Sequence, residues 1–261
     1  MNILALDFGA SFVDVVLFNG KKILLKRSLA KNQYSSKFLQ QFPAYDRLVT
    51  TGGKPQPKLP HLNEFDCLAQ GGLFLASLKT AIVVSCGTGT AVVLAKKGQP
   101  AQHLGGTGIG GGTLTGLGRL LLGTNSPEKI FKLAQTGNRT QVDLTVGDIL
   151  GTGIGLLPPQ ATAANFAKLN SIKKPDLAQG LVGMVSETIG VVACLATQSV
   201  QQKRLVFVGR LSTAPLIQTY LQTVCHLFHL SPIFPPDAHY ATALGAALLA
   251  SKACLKTAGD E

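Results

Sequence analysis

Apolar and polar positions run along the chain in two copies of one pattern. "NILALDF" is an apolar run closed by an acid, followed by "GAS", the alternating run "FVDVVLF" and then Asn19-Gly20. Asn-Gly between two strand-like runs is a strong hairpin signal, because the two-residue turn needs positive φ. The pattern predicts three antiparallel strands over 2–8, 11–18 and 22–28. Residues 33–42 read as helical, and "RLVTTGG" at 47–53 reads as a strand closed by a double-glycine turn. Pro55, Pro57 and Pro60 then force a loop, and 66–78 has helical periodicity. "TAIVVSCGTGTAVVLAKKGQ" repeats the opening as strand, glycine turn, strand and hairpin. Beyond it the spacing predicts helices over 111–123, 126–137, 142–150 and 160–170, and a long apolar helix over 175–201. A short buried strand at 204–209, a further helix, a last strand at "SPIFP" and an Ala-rich helix over 238–255 complete the chain.

Strands first and helices after, twice over, imply two α/β halves with a cleft between them. The division falls at 1–79 for an N-terminal lobe and 80–261 for a C-terminal lobe, with no long polar linker between. The 261 residues are 46% hydrophobic and 14% charged, which supports a sizeable core and excludes a disordered chain. Thr80 to Ala95 is the most apolar run. It is too short to span a membrane, is broken by Gly87 and Gly89, and ends in Lys96-Lys97. The N-terminus lacks the basic start and cleavage site of a signal peptide, so a cytoplasmic location is expected. Five cysteines (67, 86, 194, 225 and 254) show no CxxC spacing and read as reduced, buried thiols. The net charge of +11 is scattered rather than gathered with aromatics, which argues against a nucleic-acid partner. It does provide a field that attracts anions such as nucleotides.

Candidate chemistry lies at the turns. Asp7-Phe8-Gly9-Ala10-Ser11 ends a strand in an acid, then a tight turn with a hydroxyl. Such a turn can cradle phosphate on its N–H groups while the acid holds hydrated Mg²⁺. Alone it reads as an ordinary hairpin. Cys86-Gly87-Thr88-Gly89-Thr90 stands at the matching place in the second copy, and two facing turns make a phosphate clamp. Residues 103–118, "HLGGTGIGGGTLTGLG", are half glycine. Gly110, Gly111 and Gly112 lead into a helix whose N-terminus is a ready anion site. Gly116 and Gly118 read as packing positions. Asp66 reads as a helix N-cap. Glu64, just outside, is placed to point into the cleft as a general base for phosphoryl transfer.

The stretches "DFGAS", "LVTTGG", "NEFDCLAQGG", "CGTGT", "GGTGIGGGTLTGLGRLL", "LAQTGNRTQVDL", "TAANF", "FVG" and "ATALGAALL" extend over nearly the whole chain. In this order they resemble the type II pantothenate kinases, members of the actin-like ATPase superfamily with two RNase H-like half-domains around a nucleotide cleft. The resemblance implies phosphorylation of pantothenate by ATP and Mg²⁺, the first step toward coenzyme A, by a homodimer to which the long helix near 175–201 contributes. It gives Glu64 the part of general base and sets Asp7, Phe8, Gly9, Ala10, Ser11 and Thr88 at the ATP phosphates. Gly111, Gly112, Thr113, Leu114 and Thr115 then run along the nucleotide.

Three positions depart from the family pattern. Asp14 stands where the family carries a lysine, and alternation along its strand allows it to turn to solvent. His103 occupies the place of an arginine that faces the reacting groups; the bland alternative is a surface loop residue. Arg210 replaces a serine that contacts nucleotide. A guanidinium there is able to stack on adenine, restore lost positive charge or block the pocket. Two other functions stay open: a non-catalytic sensor of nucleotide or coenzyme A, and a kinase for another small hydroxyl substrate.

Overall fold

The computed structural model describes residues 1–55 and 59–257; Pro57 and the side chain of Cys254 lie outside the described residues. The two copies of the opening pattern become two five-stranded sheets of matching topology. The first contains β1 (Ile3–Phe8), β2 (Phe12–Phe18), β3 (Ile23–Ala30), β4 (Arg47–Thr51) and β5 (His61–Leu62), in spatial order β3-β2-β1-β4-β5. Helix α1 (Glu64–Leu75) leads to β6 (Thr80–Cys86), β7 (Thr90–Lys96) and β8 (Gln102–Thr107). Helices α2 (Gly111–Leu122) and α3 (Pro127–Ala134) follow. A short ribbon of β9 (Leu144–Thr145) and β10 (Thr162–Ala164) flanks α4 (Val146–Leu150). The chain continues through α5 (Lys174–Ser199), β11 (Leu205–Val208), α6 (Pro215–Leu227), β12 (Pro232–Ile233) and α7 (Ala241–Thr257). The second sheet runs β8-β7-β6-β11-β12. In each sheet the first three strands are antiparallel and the last two are parallel additions.

Strand β1 is apolar throughout because both of its faces are covered. Ile3 and Ala5 join Val16, Phe18 and the α7 residues Ala243, Leu244 and Ala247 in one core. Leu4 and Leu6 face the other way, with Val13, Val15 and Leu17, under Phe42. The same parity puts Asp7 on the α7 side of the sheet, and Asp14 is its direct partner on β2. In the second sheet Ile82, Val84 and Cys86 face α2, α3, α5 and α6, while Ala81 and Val83 face α1. Helix α5 is long and apolar enough by composition to cross a membrane, and most of that stretch is buried within the fold. Cys67, Cys86, Cys194 and Cys225 are buried free thiols, and burial pushes Cys67 and Cys86 up to about 12.

Helix α7 closes the chain by returning to the first sheet, where it packs on β1, β2, β4 and α1. Helix α1 also contacts β6 and β7, so it belongs to both halves. The α1–α7 contact is backbone on backbone. A methyl at Gly71 would collide with the Ala241 carbonyl, and one at Gly245 with the Cys67 carbonyl.

Several segments differ from the sequence expectation. Residues 33–42 do not form one helix; they form 3₁₀ turns, Lys31–Gln33 and Ser36–Gln41, with Phe38 and Leu39 packed on the first sheet. Residues 160–170 are not helical. Positive φ at Phe166 and Leu169 breaks any helix there, and the Phe166 N–H is bound by the Asp143 carboxylate at 2.9 Å. Over 142–150 only Val146–Leu150 is helical, capped by Thr145. The front of the glycine run is a strand, β8, at the edge of the second sheet. Gly106 is needed there because any side chain would strike the Thr90 carbonyl.

Gly245→Ala is expected to destabilise the fold by on the order of 3 kcal/mol, since neither backbone can retreat without parting α1 from α7. Gly116→Ala is the control. An added methyl there meets nothing within 4 Å, so the packing expected at Gly116 is absent and stability should hold or rise slightly. Urea unfolding of both variants checks the pair.

Candidate active site

The matched sheets set the turns 9–11 and 87–89 against each other. Ser11 Oγ and Thr88 Oγ1 lie 3.2 Å apart, one from each half of the chain. They sit in a cavity of about 780 Å³ that also receives Asp7, Asp14 and Glu64. One end of the cavity is therefore polar. The other is lined by Leu114, Pro127, Phe131, Leu211 and Ala214, a surface suited to a flat apolar ring. These apolar residues carry no motif of their own, and sequence reasoning singled out only Leu114 among them.

Asp7 is the most perturbed acid in the cleft. Burial comes first, and the negative charges of Glu64 and Asp14 add to it; together they raise Asp7 from 3.8 to about 8. The residue as a whole is partly exposed, but its Oδ1 is buried with no hydrogen-bond partner. An orphaned carboxylate oxygen beside a phosphate-sized space fits a hydrated divalent cation. Mg²⁺ needs only one or two protein carboxylates, since phosphates and water fill its other positions. Among the described residues there is no cluster of three His, Cys, Asp or Glu side chains that would suit a metal held by protein alone.

Glu64 is the first residue of α1, exposed and lining the cleft. The cap of this helix is Asn63, not Asp66: Asn63 Oδ1 accepts from the Asp66 N–H at 3.1 Å. Asp66 lies inside the helix and accepts from the Ala101 N–H at 2.6 Å. Asn is as strong an N-cap as Asp, and its place three residues earlier brings Glu64 onto the first turn.

The triple glycine brings backbone onto backbone. The N–H groups of Gly111 and Gly112 donate to the Gly87 and Thr88 carbonyls, each at 2.8 Å. A Cβ on Gly110 would lie 2.6 Å from the Thr88 carbonyl oxygen. These glycines therefore seat the start of α2 directly against the second turn and use two of its N–H groups to do so. Gly118 packs on Ile130, as its position suggested.

The remaining candidates separate. Gly9, Ala10, Ser11, Thr88, Gly111, Gly112, Leu114, Thr115 and Arg210 all line the cavity. Phe8 is buried beneath it, edge-on to Tyr34. Thr113 turns back to its own chain, donating to the Gly108 carbonyl at 3.1 Å. His103 lies on β8 and stacks flat on Phe65, ring centres 4.4 Å apart, next to Glu64 but outside the cavity lining.

Asp14 does not turn to solvent. It faces the cleft, 9% exposed, opposite Asp7. Arg210 reaches it from the segment after β11. Its Nη2 donates to Asp14 Oδ1 at 2.8 Å and to Ser28 Oγ at 2.6 Å, and the guanidinium carbon sits 4.0 Å from the Phe12 ring centre. Ser28 and Phe12 were not evident as site residues from the sequence. The one available signal was an aromatic directly after the first turn, on the same strand face as Asp14.

The family model described as Fumble matches residues 78–249. A type II pantothenate kinase of Oceanobacillus iheyensis is 30% identical over 266 residues, covering 95% of this chain and 99% of its own. The chain belongs to the type II pantothenate kinase family. Another relative bearing that name, from Bacillus cereus, is 26% identical over 270 residues, covering 95% of this chain and 98% of its own. Two solved structures share the fold. One is the activator of 2-hydroxyisocaproyl-CoA dehydratase from Clostridium difficile with bound ADPNP (TM-score 0.65, 14% identity, covering 100% of this chain and 98% of the other). The other is a ROK family glucokinase from Streptomyces griseus with glucose and AMPPNP (TM-score 0.62, 11% identity, covering 97% and 100%). The chain thus has the two-lobed α/β architecture of the actin-like ATPases and sugar kinases. The family match begins at residue 78, so Asp14 lies before it and Arg210 within it.

The raised Asp7 has a measurable consequence. Unfolded, the carboxyl titrates near 3.8; folded, near 8. Between these values the folded chain holds a proton that the unfolded chain releases, so stability falls as pH rises through this window. Asp7→Asn removes the loss. At pH 8 the variant is expected to be more stable than the wild type by on the order of a few kcal/mol, and the gap should close near pH 4. Thermal unfolding across that pH range checks it; a gap independent of pH contradicts it.

Proposed function

We propose that the cleft transfers the terminal phosphoryl group of ATP to the hydroxyl of pantothenate, giving 4'-phosphopantothenate and ADP, the first step of coenzyme A biosynthesis. The observation that carries this reading is the contact of Ser11 with Thr88 across the two halves. It makes one polyphosphate-sized site out of two turns, in a chain whose relatives are named type II pantothenate kinases. In this reading the N–H groups and hydroxyls of the segments Asp7 to Ser11 and Gly87 to Gly89 hold the phosphates. Gly111, Gly112, Leu114 and Thr115 flank the nucleotide, and the base enters the apolar end beside Phe131 and Leu211.

Glu64 accepts the proton of the substrate hydroxyl as its oxygen bonds to the γ-phosphorus and the bond to the β-γ bridging oxygen breaks. Asp7 is the residue that would hold Mg²⁺, which when bound neutralises charge on the phosphates. His103, stacked on Phe65 beside Glu64, borders the acceptor side and positions that first turn of α1. The working form in this reading is a cytoplasmic homodimer. Val191 and Leu195 support it: they are exposed apolar residues one turn apart on α5, at 38% and 53%.

Glu64→Gln is expected to lower kcat for pantothenate phosphorylation by about 10²–10⁴-fold with ATP still bound. Product mass and a coupled ADP assay check it. Equal turnover by both proteins removes Glu64 as the base. ATP binding by the wild type without transfer to pantothenate, sugars or hydroxy acids turns the reading to a nucleotide sensor.

A further inference from the structure

The cleft is electrostatically odd for a polyanion. Asp7, Asp14, Glu64 and Glu128 all line it, while Arg210 is its only lysine or arginine among the described lining residues. Asp14 sits on β2, the strand that leaves the first turn, three residues after Ser11. Left unpaired, its charge would oppose a phosphate bound there. Arg210 is committed to that carboxylate. Its single Nη2 bonds both Asp14 on β2 and Ser28 on β3, and its plane lies over Phe12, also on β2. Three contacts to the first sheet are thus made by one side chain of the second half, 196 positions from Asp14 and 182 from Ser28 in sequence. Gly209, at φ +89° and pressed against the Cys86 backbone, fixes where that side chain starts. The half-exposed position of Arg210 leaves the rest of its fork open to the cavity.

We propose that Arg210 is a positioning residue that makes the first turn compatible with nucleoside triphosphate by neutralising Asp14 from across the cleft, so that ATP affinity depends on the pair. This rests on the assignment of the cavity to ATP. The two residues form one unit: the anion on β2 anchors the guanidinium, and the guanidinium cancels the anion. Loss of Arg210 alone is then worse than loss of both. Arginine suits the post because its planar fork bonds and stacks at once, which a lysine ammonium does not.

Calorimetric titration of the full chain with ATP and Mg²⁺ tests the pair. R210Q is expected to weaken ATP tenfold or more, with the loss falling on KM for ATP more than on kcat. D14N/R210Q should return to within about threefold of the wild type. D14K/R210S, which moves the cation onto β2 itself, should also stay within a few-fold and covers the case of a poorly folded R210Q. Wild-type affinity in R210Q overturns the proposal. So does a D14N/R210Q protein as weak as R210Q, because Arg210 would then act on ATP directly. Intact ATP binding without pantothenate phosphorylation sinks the proposed function and leaves the pair standing. An absence of ATP binding in the wild type removes both.

Discussion

The cleft depends on the place where α1 and α7 meet without side chains between them. Gly71 and Gly245 allow each helix to touch the other's backbone. Helix α1 packs on the second sheet and reaches the first through Cys67 and Phe74, and α7 rests on the first, so this contact joins the two halves. Their spacing in turn decides whether the turns 9–11 and 87–89 meet. At 3.2 Å between Ser11 and Thr88 they do. This contact joins the two turns into the single polar site to which the proposed function assigns the phosphates. Catalysis by positioning thus begins in helix packing well away from the phosphates.

Charge imposes the second constraint. Asp7 faces two other acids and keeps a buried oxygen without a partner. That is a costly arrangement for a free protein, and one that a cation would relieve. The orphaned oxygen is the feature that supports the proposed part of Asp7 in holding a divalent cation. Asp14 is the contrasting case. Its charge is answered within the chain, by Arg210.

The duplicated strand–turn–strand pattern was legible because hydrophobic period and turn glycines are local properties, and each β1-like run is long enough to show them. The cleft acids were legible for a related reason: Asp7 and Glu64 end or begin elements at glycine or cap positions. What failed was local in another sense. Residues 160–170 have helical composition, but the buried Asp143 takes the Phe166 N–H and left-handed residues follow, so tertiary contacts override propensity. Strand β8 was hidden because glycine is a poor strand former, and its presence there answers the Thr90 carbonyl of the neighbouring strand. Asp66 lost the cap to Asn63, three positions earlier, because Asn63 Oδ1 takes the Asp66 N–H and leaves Asp66 inside the first turn. The triple glycine was seen as chemically important. Its N–H groups at 111 and 112 nonetheless turned out to bind the second turn, a partner 24 residues earlier for each.

Asp14 and Arg210 show how far residue-by-residue comparison reaches. Each departs from the family pattern, and each viewed singly suggests damage: an anion near phosphates, a bulky cation in a nucleotide pocket. Their coordinates turn two apparent losses into one bond of 2.8 Å. The charge that a lysine would supply on β2 comes instead from the opposite half. This has a mechanical side. A cation on β2 would serve the first turn however the halves were set, whereas Arg210 reaches Asp14 only when they are close. In the proposal above, phosphate binding at the first turn therefore draws on a residue from each half.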